Sequence, residues 1–311
     1  SGVHEMPVTL VTPSRRQFLR TVAGGAMVFA SGVTASAGSF LRDDIDADLV
    51  YLLNDTHIGE KHPPDSAVPS HLRQAVDEIL KLERRPAAVI INGDLALKDG
   101  QPGDYRHLGQ LINPLQEAGI ALHLTLGNHD NRDVFYQVLA DQRPESPPIA
   151  SRHITVVQTR HANFFLLDSL HETMVTPGTL GTEQLAWLAK SLDAHPDRPA
   201  IIVTHHNPRL GGDPNHFPGG LTDSEDLWQL LAPRAHVKAY LHGHIHDRSQ
   251  ATHQGIHILN TPATSYVANR ETSTTGWTIA RLSATGVSLT TRTTETDHPW
   301  NGQVQEVAWR A

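Results

Sequence analysis

The chain has 311 residues, 39% hydrophobic and 19% charged, and no cysteine, which excludes a disulfide scaffold, a thiolate zinc site and an iron–sulfur cluster. A formal net charge of −8 argues against a general polyanion binder. No apolar run reaches the ~18 residues of a membrane span, so no polytopic membrane protein is encoded.

In chain order, the first feature is a leader. Ser14-Arg15-Arg16-Gln17-Phe18-Leu19-Arg20 precedes a Gly/Ala-rich apolar stretch, Thr21 to Thr34, and then Ala35-Ser36-Ala37. A positive segment, a short apolar segment and a small-residue cleavage site form an export signal. The heptapeptide resembles the twin-arginine signal, with Arg20 where Lys is usual. This predicts a folded passenger carried by the twin-arginine translocase, cleaved after Ala37. The mature protein is then periplasmic or extracellular and has no stable membrane span.

Short apolar runs follow, each ending in a polar cluster. Leu49 to Leu53 leads to Asp55 and His57, and Ala87 to Ile91 to Gly93-Asp94. Ile120 to Leu126 leads to Gly127-Asn128-His129-Asp130, Ala200 to Thr204 to His205-His206, and Val237 to Leu241 to His242-Gly243-His244-Ile245-His246. Runs of this length, rich in Val, Ile and Leu, read as buried strands. Between them lie helical stripes: Leu72, Val76, Ile79 and Leu80; Tyr105, Leu108, Leu111, Ile112 and Leu115; Leu185, Leu188 and Leu192. Thr222 and Glu225 have capping-box spacing ahead of a fourth, Leu227 to Leu231. The Thr-, Val- and Ser-rich segment 256–294 reads as late strands. Alternation of strand and helix predicts an α/β fold in one domain. The predicted boundaries are a leader over 1–37, a short segment 38–48, the domain 49–294 and a tail 295–311.

The 21 histidines nearly match the 25 lysines and arginines in number, and histidine is both a common metal ligand and a proton carrier. Each polar cluster follows its strand, and the carboxyl ends of strands in open α/β sheets form the ligand crevice. Asp55, His57, Asp94, Asn128, His129, His205, His244 and His246 are thus predicted to converge. That inventory exceeds the three or four protein ligands of one catalytic ion and suits two. Two cations sharing a carboxylate lower the pKa of a bridging water to give a hydroxide nucleophile and offset phosphoryl charge. A nearby histidine can protonate the departing alkoxide. The all-N/O donor set suits divalent or trivalent Fe, Mn or Zn.

Asp55-x-His57, Gly93-Asp94, Gly127-Asn128-His129-Asp130, His205 and Gly243-His244-x-His246, in this order, resemble the five motifs of the calcineurin-like metallophosphoesterases. The resemblance implies a sandwich of two mixed β-sheets flanked by helices. It also implies Asp55, His57 and His246 on one metal, Asn128, His205 and His244 on the other, and Asp94 bridging. His129 would be the acid and phosphate contact, oriented by Asp130. Within the family, Gly93-Asp94 lacks the following Tyr of purple acid phosphatases. The Arg insertion of the protein-phosphatase branch is also absent. The motifs look most like the class III cyclic nucleotide and glycerophosphodiester phosphodiesterases, except that Asn207 replaces the first Pro of His-His-Pro-Pro.

The expected reaction is therefore hydrolysis of a small phosphate ester, a diester ahead of a monoester. The expected substrate-binding residues are Asn128, His129, His206 and His216, the last in a Gly/Pro-rich loop. A non-catalytic scaffold is disfavoured by the full ligand set, and a nuclease on long DNA by the negative charge.

Overall fold

In the computed structural model, residues 45–63, 65–210, 219–267 and 269–311 are described, and they belong to one compact unit. The predicted leader and His216 lie outside the described residues.

Two six-stranded mixed sheets form the centre. In the first, β1 (Ile45–Asn54), β2 (Arg85–Asn92) and β3 (Leu122–Thr125) run parallel. Beyond β1 the sheet continues antiparallel through β10 (Gly276–Leu282), β11 (Gly286–Thr293) and β12 (Val304–Ala308). The second sheet has the order β4 (Thr155–Gln158), β5 (Asn163–Leu166), β6 (Ala200–Val203), β7 (Val237–His242), β9 (Ile256–Asn260), β8 (Ser249–His253). Here β5, β6, β7 and β9 are parallel.

The apolar runs are continuous because both faces of these strands are covered. On β1, Val50 and Leu52 point into the core between the sheets, while Leu49, Tyr51 and Leu53 point out under helices. Ile201 and Val203 of β6 face the same inner core, and Ala200 and Ile202 face outward. The outer face of the first sheet is covered by α1 (Ala67–Lys81) and α2 (Pro102–Glu117). That of the second is covered by α4 (Gly181–Ala194) and α5 (Ser224–Leu231). The fold is thus a helix–sheet–sheet–helix sandwich.

Some sequence expectations change. Helix α3 (Arg132–Val138) follows the His129 loop, and the Asn131 side chain accepts its Val134 amide. Strands β4 and β5, four residues each, were not read from the sequence. The capping box at Thr222 does not form. The Thr222 hydroxyl donates to Gly178 O instead, and the α5 cap is Asp223. Asp223 in turn accepts the Leu180 and Gly181 amides that open α4, 43 and 42 residues away. Segment 295–311 is not an appendage, because β12 pairs with β11 and buries Val307 in the inner core. The first strand begins at Ile45 rather than Leu49.

Candidate active site

Strands β1, β2, β3, β6 and β7 end together, and the loops that leave them keep pairing. Asp55 N donates to Gly93 O, and His57 N to Asp94 O. The turns are sharp: Asp55, His57, Asp94, His244 and His246 all have positive φ, between 46° and 70°. Side chains rarely adopt this region, at a cost of about 1–3 kcal/mol each. Among the described residues only Met174 and Gln254 share it outside glycine, so the strain is concentrated on predicted ligands. Two glycines make the approach possible. Gly93 has φ +72°, and a Cβ there would strike the His205 ring; a Cβ at Gly127 would strike the Asp94 carboxylate.

The donor atoms form two groups. Asp55, His57, Asp94 and His246 are one, Asp94, His205 and His244 the other, each with its atoms within 4.8 Å of one another. Asp94 is the shared member. Its Oδ1 accepts the His129 amide at 3.0 Å. Its Oδ2 lies 3.2 Å from His205 Nε2 and 3.7 Å from His57 Nε2. Asp55 Oδ1 lies 3.2 Å from His246 Nε2. Two rings are fixed from behind: His205 Nδ1 donates to Asn92 O, and His244 Nε2 to Gly219 O. Because carbonyls only accept, the opposite nitrogens are the ones turned into the site.

These residues fit metal cations. His57 Nε2 lies 3.0 Å from His246 Nε2, and His244 Nδ1 lies 3.2 Å from His205 Nε2. Nitrogen lone pairs brought this close, beside buried carboxylate oxygens, form a cation cage. Asn128 Oδ1 is buried without a hydrogen-bond partner, a further free oxygen on the same rim. Electrostatics agree. Burial opposes ionisation of Asp94, yet the His205 and His57 imidazoles hold its carboxyl well below the usual range. Burial also opposes charge on His205, but Asp94 and Asp55 outweigh it and push the ring up to about 9. A field that holds a proton on a buried imidazole also favours a metal cation. His57 and His244, with burial dominant, are pushed down to about 4 and about 3.

His129 is half-buried at the edge of this group. Its Nδ1 donates to Lys98 O at 2.7 Å, which leaves Nε2 for a ligand. The orienting group is therefore a backbone carbonyl, and the expectation that Asp130 orients His129 is corrected. Asp130 is fully buried and accepts the amides of Leu95, Ala96 and Gly127 and the Tyr105 hydroxyl. It fixes the loop after β2 against the loop after β3. Burial and the Asp94 charge push its carboxyl up to about 6, against the three amides.

His206 is also corrected. It is fully buried, accepts from Ser169 Oγ at Nδ1 and donates to Thr176 O from Nε2, so no ring nitrogen remains for a substrate. It braces the loop after β5, which Thr173 and Met174 tie to Asp130 O and Asn128 O. His62 bonds His57 O and Ser66 Oγ. The site opens into a cavity of about 350 Å³ lined by His57, Val68, Asp94, Leu97, Asn128, His129, Thr176, His244, His246 and Tyr266. Lys98, Tyr105, Thr176 and Tyr266 were not assigned from the sequence. Their roles come from a carbonyl, a hydroxyl 25 residues from its partner and two loop positions, and none of these has a spacing signal.

Residues 49–248 match the family model for the calcineurin-like phosphoesterases. The chain belongs to that family. Among curated relatives, the 3′,5′-cyclic adenosine monophosphate phosphodiesterase CpdA of Escherichia coli is 31% identical over 249 residues, 77% of this chain and 86% of that one. A cAMP/cGMP dual specificity phosphodiesterase of Mycobacterium tuberculosis is 30% identical over 244 residues, 76% and 73%. Across the first four relatives, the matched part spans 56–73% of the relative's own length. A dimetal phosphatase from Danio rerio shares the fold, with a TM-score of 0.64 at 16% identity over 85% of this chain and 99% of that one. The domain is a metallophosphoesterase with a potential two-metal site, and its chemistry is phosphoric ester hydrolysis.

Proposed function

We propose that the protein is an exported, dinuclear-metal phosphodiesterase acting on a small diester of cyclic nucleotide or glycerophosphodiester type. The observation that carries the reading is Asp94, the one carboxylate common to two donor groups at the floor of a cavity that His129 borders. In this reading Asp55, His57 and His246 hold one cation, Asn128, His205 and His244 the other, and Asp94 both. Such a pair, when bound, supplies Lewis acidity and a nucleophile at neutral pH. The chain's own work is positional. Asn128 and His129 face the phosphoryl group. The Lys98 carbonyl holds the Nδ1 proton of His129, so Nε2 is the nitrogen from which the imidazolium form of the ring gives its second proton to the departing alkoxide.

The diester preference is supported by relatives described as cyclic nucleotide phosphodiesterases. A cavity with no lysine or arginine among its described lining residues supports it too, because a monoester dianion gains more from such groups than a diester monoanion. The test compares bis(p-nitrophenyl) phosphate, 3′,5′-cyclic AMP, a glycerophosphodiester and p-nitrophenyl phosphate, each with Mn²⁺, Fe²⁺ or Zn²⁺. Faster turnover of the diesters is expected. Preference for the monoester would make the protein a phosphomonoesterase on the same site.

Export rests on the Arg15-Arg16 heptapeptide and the Ala35-Ser36-Ala37 site. It makes the twin-arginine translocase a transient partner and the periplasm or exterior the place of action. Residues 1–37 fused to a folded reporter should export it, and Arg15→Lys with Arg16→Lys should stop export. Export unchanged by that pair would contradict the reading.

A further inference from the structure

The metal-facing floor of the cavity is polar, but its outer wall is not. Val68 from α1, Leu97 from the loop after β2 and Tyr266 from the loop after β9 line it. Among the described residues, the exposed large apolar side chains are Leu80, Leu97, Met174, Tyr266 and Val304. Two of these five lie in this one cavity. Leu97 is 45% and Tyr266 46% exposed, although apolar surface left open at a mouth costs solvation unless something covers it. Tyr266 is held by the site itself. Its ring stands edge-to-face on His246 at 5.3 Å and 84°, and on His57 at 6.0 Å and 77°. The phenol therefore has one side set against two predicted ligands while nearly half of its surface stays open to water.

We propose that Tyr266, with Leu97 and Val68, is the platform for a planar, uncharged ring in the substrate's ester group, so that the site selects nucleoside-type diesters over diesters of small polyols. This rests on the phosphodiesterase reading and narrows it. An aromatic face gains from stacking against any flat π-surface, whatever the base, while a glycerol group has no flat surface to stack. The absence of lysine and arginine from the described lining fits a neutral ring and a single phosphate rather than an oligonucleotide. At about 350 Å³ the cavity sits near the lower end of the ~300–1,000 Å³ usual for small-ligand sites, enough for one mononucleotide.

The test uses full-length protein loaded with Mn²⁺, as wild type, Tyr266→Ala and Tyr266→Phe. Kinetics are measured on 3′,5′-cyclic AMP and on a glycerophosphodiester, with metal content per chain as a control on the histidines beside the ring. Calorimetric binding of adenosine monophosphate and of glycerol phosphate is measured in parallel. Wild type should prefer the nucleotide. Tyr266→Ala should raise KM for cyclic AMP and weaken binding of adenosine monophosphate by on the order of 10-fold. It should leave kcat, metal content and both glycerol ligands nearly unchanged, and Tyr266→Phe should restore the loss. Equal weakening of both ligand classes, a change confined to kcat, or failure of Phe to restore binding would overturn the platform. A wild type that cleaves no diester would instead overturn the phosphodiesterase reading and the platform with it.

Discussion

His129 shows how much a single backbone contact decides. Its Nδ1 proton is committed to the Lys98 carbonyl, so only Nε2 can exchange a proton with a ligand. An acid placed this way matters in proportion to the need of the leaving group. His129→Ala should keep its metals and lose on the order of 10²–10⁴-fold in rate on an alkyl diester. The loss should be far smaller on bis(p-nitrophenyl) phosphate, whose leaving group departs without a proton. Full activity on the alkyl ester would refute the acid role. The donor residues themselves were readable from the sequence, because Asp55-x-His57, Gly93-Asp94, Gly127-Asn128-His129 and Gly243-His244-x-His246 are local patterns. What surrounds them was not. Asp130 binds loop amides rather than His129, and His206 turns inward to Ser169 and Thr176. Those partners lie 30 or more residues away in most cases, where sequence spacing carries no information.

At the scale of elements, the strands easiest to read were those buried on both faces, such as β1, β2 and β7, whose apolar runs need no alternation to be seen. β4 and β5 were missed because each is only four residues long and they are separated by a tight turn, in which the Thr159 amide and hydroxyl both bond Ala162 O. α3 was missed for the same reason of length. β4 follows His153, which links two elements. His153 Nε2 donates to Leu124 O of β3, and Nδ1 accepts from the Tyr136 hydroxyl of α3, both at 2.8 Å. Burial holds this imidazole below its ordinary value of 6.5. For a histidine with a lowered folded pKa, the unfolded chain binds the proton more readily. Stability is therefore complete above pH 6.5 and declines as pH falls below it. Thermal melts at pH 7 and pH 5 should show this decline, and His153→Gln should make it shallower, the rest coming from other buried histidines such as His57 and His244. An equal decline in the variant would remove His153 from the account.

At the scale of the whole molecule, the two sheets are joined by their shared core and by the chain's last residues. Arg310, just past β12 of the first sheet, donates to the carbonyls of Val237 and Gln254 in the second sheet's region and of Ala232 and Arg234 after α5. Charge-assisted bonds of this kind contribute about 1.5–3 kcal/mol, so Arg310→Ala should lower the melting temperature by several degrees without changing turnover at 25 °C. An unchanged melt would contradict it. The sandwich matters to the proposed function because both sheets deliver predicted ligands: Asp55, His57, Asp94 and Asn128 come from the first, His205, His244 and His246 from the second. Asp94 alone belongs to both donor groups. The most direct measurement is metal content per chain, by mass spectrometry, for wild type and Asp94→Ala after identical loading with Mn²⁺, Fe²⁺ or Zn²⁺. About two ions in the wild type and loss of both in the variant, together with loss of diester hydrolysis, is the predicted result. One ion in the wild type, or two retained in Asp94→Ala, would contradict a shared-carboxylate dinuclear centre.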